Sequence, residues 1–251
     1  MQRYFIHEKS GNLKDIVLIT GEDVHHITRV MRLKEGGKII CISADGCEAE
    51  CVIEELSDDS IRCLPLKWVM INRELPVKVT IASGLPKGDK LEWIIQKGTE
   101  LGAFEFIPFN AARSIVKMEP IKAKKKVDRW QKIAKEAAEQ SYRNDIPSIH
   151  EPLSFKELIN QSDNYDVKIL AYEESAKAGE KQNFAKALEG MQEGGKLLIV
   201  TGPEGGLTSN EASLLMEKGF IPSSFGPRIL RTETAPLYAL SAVSFYYELL
   251  R

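Results

Sequence analysis

The 251-residue chain has only four cysteines, Cys41, Cys47, Cys51 and Cys63, all in its first quarter. No C-x-x-C pair occurs and the spacing is not that of a zinc site, so no metal is expected. Reduced cysteines of strands or core are the simpler reading for a reducing compartment. No apolar run reaches the roughly eighteen residues of a membrane span, so no membrane partner is expected. The first residues, MQRYFIHEKSG, lack the charged-then-apolar order of a signal peptide, and a cytoplasmic location follows as the expectation. No glycine loop runs on into Gly-Lys-Ser/Thr, and no G-x-G-x-x-G occurs, which removes P-loop and dinucleotide fingerprints. A strong charge imbalance is absent too: the formal net charge is −2, which argues against a general nucleic-acid coat.

What is present is enough for a full core, with 43% hydrophobic residues. The length suits one large domain or a small one plus a medium one. Residues 1–72 read as a small β-barrel domain. Ile16–Ile19, Lys38–Ile42, Ala49–Ile53 and Ser60–Leu64 alternate or are β-branched, with turns at Ala44-Asp-Gly46 and Ser57-Asp-Asp59. A helix is expected between Glu22 and Met31, with His25, His26, Arg29 and Arg32 at helical spacings. MINRELP, Met70 to Pro76, reads as a linker.

Residues 73–251 alternate strand and helix. Strands are expected at Val77–Leu85, Glu105–Phe109, Val167–Ala171, Lys196–Val200 and Phe220–Phe225. Helices are expected at Asp89–Leu101, Lys122–Arg143, after the capping box Ser154-x-x-Glu157, and at Asn183–Leu188. Such alternation means a parallel sheet flanked by helices, an α/β fold. Between Arg113 and Arg143, 10 basic and 4 acidic residues give 10 − 4 = +6. On a mildly acidic protein this stripe suits selective binding to a nucleic-acid backbone, or is simply a solvated helix face.

The last fifth carries the densest signal. After Lys196–Val200 comes TGPEGGLTSNE, in which Gly202, Gly205 and Gly206 let the backbone turn tightly and approach a ligand. Thr208 and Glu211 have capping-box spacing, and Gly219 ends the helix they open. Strand, glycine loop, helix is where open α/β sheets bind small ligands. The second stretch, FGPRILRTETAPLYALS, leads into an apolar terminal helix that Thr232 or Thr234 can cap. Arg228 and Arg231 could grip a phosphate or base edge; equally, Arg231 could tie loops together through Glu233 or Glu204.

GPEGG followed by LRTETA opening a terminal helix resembles the SPOUT methyltransferase superfamily, and within it the 16S rRNA uridine-N3 methyltransferase (RsmE) family. HHITRVMRLKEGG (His25 to Gly37), QKGTELG (Gln96 to Gly102) and EAAEQSYR (Glu136 to Arg143) carry the resemblance over the whole chain. Phe225 stands where that family's pattern usually has leucine. The resemblance implies an N-terminal PUA-like β-barrel that binds RNA and a SPOUT domain whose C-terminal part forms a deep trefoil knot, as a homodimer packed through the terminal helix. It implies S-adenosylmethionine as cofactor, held by Leu170, Tyr172, Gly202, Glu204, Gly205, Phe225, Gly226, Ile229 and Leu230.

The implied partner is 16S rRNA in the 30S subunit, and the implied reaction is methylation of N3 of a uridine in the decoding region. Uracil N3 must lose a proton at or before attack, so a base or a cation is needed. Arg231, Glu204 and Glu233 are the candidate catalytic residues, and Arg29, Arg32, Lys124, Lys125, Arg129, Arg143 and Arg228 the candidate RNA contacts. Glu139, Gln140 and Arg143, from the long helix, form a second polar set. Two alternatives remain: another SPOUT methylation, on a ribose 2′-oxygen or a purine, and a non-catalytic RNA clamp for ribosome assembly.

Overall fold

A computed structural model describes every residue but 14, 119, 178 and 251, and every side chain but those and residues 120–122, 176 and 177. Lys122, one of the basic stripe, therefore has no described side chain. The chain divides into two compact units, residues 1–74 with 138–145, and residues 75–137 with 146–251.

In the first unit five strands, β1 (Arg3–Phe5), β2 (Val17–Thr20), β3 (Lys38–Ile42), β4 (Glu48–Leu56) and β5 (Ser60–Pro65), pair in the order β1-β3-β4-β5-β2. All pairings are antiparallel except β1 with β3. Inward residues of every strand, among them Tyr4, Val17, Ile19, Ile39, Cys51 and Ile61, share one apolar cluster, which requires the sheet to curl around it. Cys41, Cys51 and Cys63 lie inside that core, and burial pushes the Cys63 thiol up to about 12.

Where one helix is expected from Glu22 to Met31, α1 (Glu22–His25) widens into a π-helical turn, His26–Val30. His26 Nδ1 bonds Tyr4 Oη at 2.9 Å, so this histidine is a local hydrogen-bonding residue. The expected linker is tied down. Arg73 donates to both carboxylate oxygens of Glu48, at 2.9 and 3.1 Å, and Glu48 also accepts from the buried Arg3 at 2.7 Å. The guanidinium of Arg3 lies 4.8 Å from the Tyr142 ring centroid. Residues 138–145, placed by sequence pattern in the second domain, thus pack with the first unit.

The second unit is built on β6 (Lys78–Gly84), β7 (Glu105–Asn110), β8 (Ser148–Ile149), β9 (Leu153–Ser154), β10 (Val167–Ala171), β11 (Lys196–Thr201) and β12 (Ile221–Ser223). The order is β12-β10-β11-β6-β7-β8, with β9 also on β7, and every pairing is parallel. Its helices are α2 (Lys90–Glu100), α3 (Pro120–Gln140), α4 (Phe155–Gln161), α5 (Glu173–Lys177), α6 (Asn183–Glu189), α7 (Ser209–Glu217) and α8 (Thr234–Ser244), the last running into a π-helical end, Phe245–Leu250. One face of the sheet packs on α2, α3, α6 and α8 through Ile94, Trp130, Phe184 and Leu240. The other packs on α4 and α7 through Leu158 and Leu215.

The local sequence explains these elements. Ser154 and Glu157 form a complete capping box for α4, and Thr208 and Glu211 form one for α7, each worth about 1 kcal/mol. Gly219 ends α7 with φ +81°, which a side chain would resist. α8 departs from expectation: Glu233 is its N-cap, and no side chain caps it. Instead Thr234 and Ala235 both donate their N–H to the Arg231 carbonyl, so a backbone turn does the work expected of a threonine. The expected strand Phe220–Phe225 is confined to Ile221–Ser223, because Ser224 Oγ bonds the N–H and carbonyl of Gly226 and bends the chain away.

Candidate active site

β6 and β11 are adjacent parallel strands, and each ends in a glycine-containing loop at the same edge of the sheet. The two loops touch. A Cβ on Gly84 would stand 2.5 Å from Pro203 Cδ, and one on Gly202 would meet Gly206 backbone at 3.0 Å. Arg113, from the loop after β7, lies over the same turn and donates to Gly205 O at 3.0 Å. Its partner in bracing the turn is Glu211, which accepts from Ala112 N at 2.8 Å as well as capping α7.

The sequence reading missed the residue that joins the expected catalytic carboxylates. Lys90, the first residue of α2, places Nζ 2.9 Å from Glu204 Oε1 and 3.4 Å from Glu233 Oε2. Glu204 Oε1 also accepts from Lys87 N at 3.1 Å. Burial pushes the Glu204 carboxyl up, but Lys90 and the loop N–H groups outweigh it and hold it below the usual carboxylate range. Those two glutamates are mainly partners of a lysine rather than of Arg231, which is exposed. Apart from that longer contact to Lys90, Glu233 Oε2 is buried and accepts no hydrogen bond. Thr201 Oγ1, at the end of β11, is buried without a hydrogen-bond partner.

The loop from Ser224 to Glu233 is pinned at its start. Glu180 Oε2 accepts from Ser224 N at 2.9 Å, and its other oxygen accepts from Gln182 N and Asn183 N at 2.6 Å. The Phe225 ring lies between Phe184 and Tyr238, with centroids 5.1 and 5.8 Å away. Its side chain is therefore core, and only its backbone can face a ligand. The same holds for Leu170, which is fully buried, while Tyr172 is anchored by its N–H to Ser223 O at 3.1 Å. Gly226 has φ +93° and nothing within 4 Å of where a Cβ would stand. Leu230 packs on the core, and Ile229, 74% exposed, does not.

Of the expected RNA contacts, Arg29, Arg32, Lys124, Lys125 and Arg228 are exposed. Arg129 is exposed but paired with Glu92 at 2.6 Å. Arg143 is a correction. It is 4% exposed and its guanidinium is taken up by Glu74, which also accepts from Asn144 N at 2.9 Å. A cation so buried and paired fastens residues 138–145 within the first unit and is not available to a phosphate. Inward Trp130 and Ala134 leave Lys124, Lys125, Lys126 and Lys132 on the outside of α3.

Two cavities lie away from these loops. One of about 360 Å³ is lined by Ile40, Glu48 and Leu66, and one of about 430 Å³ by Asp166, Val167 and residues 190–195. The loops after β11 and β12 are marked instead by their polar groups and by the positive-φ Gly206 and Gly226. Among the described residues, no three of His, Cys, Asp or Glu are placed to hold a metal ion, and no helix is long and apolar enough to cross a membrane.

This arrangement has counterparts. A family profile described as an RNA methyltransferase domain matches residues 73–244, and one described as an RNA methyltransferase PUA domain matches residues 19–66. The ribosomal RNA small subunit methyltransferase E of Bacillus subtilis is 57% identical, covering 100% of this chain and 99% of its own. The enzyme of the same name from Neisseria gonorrhoeae, whose crystal structure is bound to S-adenosyl methionine, superposes with TM-score 0.85 at 27% identity over 98% of both chains. A putative methyltransferase from Legionella pneumophila, in complex with the same cofactor, gives TM-score 0.84 at 26% identity over 98% of both chains. The chain belongs to the ribosomal RNA small subunit methyltransferase E family.

Proposed function

We propose that the protein transfers a methyl group from S-adenosylmethionine to N3 of a uridine in the decoding region of 16S rRNA, in the assembled 30S subunit. The observation that carries this reading is the convergence of the Gly202–Gly206 turn, the Gly84 loop and the start of α8 around one lysine and two carboxylates. The cofactor fits the residues present. The backbone around Gly226 offers unfilled space, and Thr201 Oγ1 is a buried polar atom in want of a partner. Leu170, Tyr172, Gly202, Glu204, Gly205, Phe225, Gly226, Ile229 and Leu230 would hold it, mostly through backbone groups. When bound, S-adenosylmethionine supplies a methyl group activated by a sulfonium.

This chain's own residues then have two tasks, orientation and proton removal. Glu204 is a poor base, since Lys90 and Lys87 N–H hold its carboxyl low and charged. Glu233, which meets Lys90 only at the longer distance of 3.4 Å, is the better acceptor for the N3 proton. Arg231, exposed beside it, would steady the anion that develops on the uracil oxygens. Arg29, Arg32, Lys124, Lys125 and Arg228 would contact the RNA backbone, and the target base would be turned out of its stack to reach the loops.

The knot and the dimer belong to the same proposal. β12 lies at the sheet edge, whereas α8 packs on α2, β6 and β11, so the segment between them must recross β10 and β11. Threading that segment through an earlier loop would make the trefoil. Phe245, Leu249 and Leu250 are 55%, 77% and 64% exposed, an apolar surface suited to a second copy. The reading is tested by calorimetric titration with S-adenosylmethionine, alone and after the substitution Gly202→Val. Saturable binding that the substitution abolishes is the expected result.

A further inference from the structure

We propose that Lys90 is a positioning residue that sets the spacing of the loops around the methyl donor; this deepens the function proposed above and rests on it. Its Nζ lies 2.9 Å from Glu204 of the glycine turn and 3.4 Å from Glu233 at the start of α8, so one side chain spans two loops that are far apart in sequence. The N–H of Lys87, three residues earlier, binds the same oxygen of Glu204 at 3.1 Å. The segment leading from β6 into α2 therefore grips the glycine turn twice.

The position of Lys90 is unfavourable for its own helix. It is the first residue of α2, where the positive end of the helix dipole repels a cation; Asp89 makes no side-chain cap there, and Glu92 is the one acidic residue of that turn. A lysine placed there against the preference of its helix is held by the carboxylates it serves. Those carboxylates draw the ammonium's proton affinity above the usual lysine range, so the clamp stays charged.

The charge count gives the cluster a direction. Glu204, Glu233 and Lys90 sum to −1. S-adenosylmethionine carries a sulfonium and an ammonium against one carboxylate, a sum of +1. Removing the lysine would make the cluster −2. Simple attraction would then tighten the cofactor. Loss of spacing would loosen it, because two adjacent carboxylates would repel and the loops would part. The two roles thus move affinity in opposite directions.

The test compares the parent chain, Lys90→Met and Lys90→Arg by titration with S-adenosylmethionine from pH 5 to pH 8, with thermal melting alongside. Lys90→Met is expected to weaken binding about tenfold, with melting little changed because the side chain is one-third exposed and outside the apolar core. Its binding should also become pH-dependent, as one carboxylate takes up a proton to relieve the repulsion, while the parent varies less. Lys90→Arg should recover most of the affinity. Binding by Lys90→Met that equals or exceeds the parent's would overturn the positioning role and leave the cofactor reading standing. A large fall in melting temperature shared by both variants would also overturn it. Failure of the parent to bind S-adenosylmethionine would overturn both.

Discussion

Gly84 and Pro203 touch backbone to ring: a Cβ on Gly84 would stand 2.5 Å from Pro203 Cδ and 2.8 Å from its nitrogen. The contact sets how closely the loop after β6 approaches the glycine turn after β11. Gly84→Ala must displace one of them, since neither the ring nor the backbone can yield as a flexible side chain would. Overpacking of this kind costs about 1–3 kcal/mol. We expect chemical denaturation to show that loss, and S-adenosylmethionine affinity to fall by at least about tenfold. Unchanged affinity would separate the turn from the site.

Arg143 and Lys124 should behave as opposites. Arg143→Met leaves the half-buried Glu74 without its main partner, and breaks of largely buried pairs cost up to about 3–5 kcal/mol. The double substitution Lys124→Gln with Lys125→Gln touches exposed side chains and should leave stability within about 0.5 kcal/mol. Its effect should appear in rRNA binding, where each lost phosphate contact lowers the salt slope by roughly one. Equilibrium unfolding and salt-dependent binding, measured on both variants, check the contrast.

Glu180 is expected to act on the second loop from a distance. Its carboxylate receives three backbone N–H groups, one of them from Ser224, next to Phe225. Glu180→Ala would leave those donors to water and free the start of the loop. A stability loss of about 1–2 kcal/mol should accompany weaker cofactor binding. Melting and titration of one variant distinguish a loop effect from none.

At the other end of the sheet, Glu105 predicts acid sensitivity. It accepts from Thr80 at 2.7 Å and Tyr165 at 2.7 Å and pairs with His150 at 2.8 Å. Burial pushes its carboxyl up, but His150, Tyr165 and Thr80 together bring it from 4.5 down to about 2. A carboxyl lowered on folding stabilises fully above its unfolded value and loses that contribution as pH falls through the folded value. The loss should therefore run from about pH 4.5 to pH 2 and amount to roughly 1–2 kcal/mol after solvent screening. Glu105→Gln should flatten that part of the stability curve; an unchanged acid limb would contradict the assignment.

Local chemistry was legible in the sequence wherever it repeats within a few residues. Both capping boxes, the Gly219 stop, and the strands Lys38–Ile42 and Val167–Ala171 follow from spacing alone. The strand order was not, because periodicity cannot say that β11 lies beside β6 while β12 lies at the edge. Arg143 looked like an RNA contact because it ends a basic stretch, and only burial beside Glu74 reveals its role. The role of Lys90 is not legible in sequence because its partners lie 114 and 143 residues later, at Glu204 and Glu233. Its one local signal was a cation in the first turn of a helix.

The most direct measurement is incubation of the protein with labelled S-adenosylmethionine and small ribosomal subunits that lack the modification, with free 16S rRNA in parallel, followed by nucleoside mass spectrometry. The account predicts label in 3-methyluridine, and more of it from subunits than from free rRNA. Label in a ribose-methylated nucleoside or a methylated purine, or no label from either substrate, would contradict it.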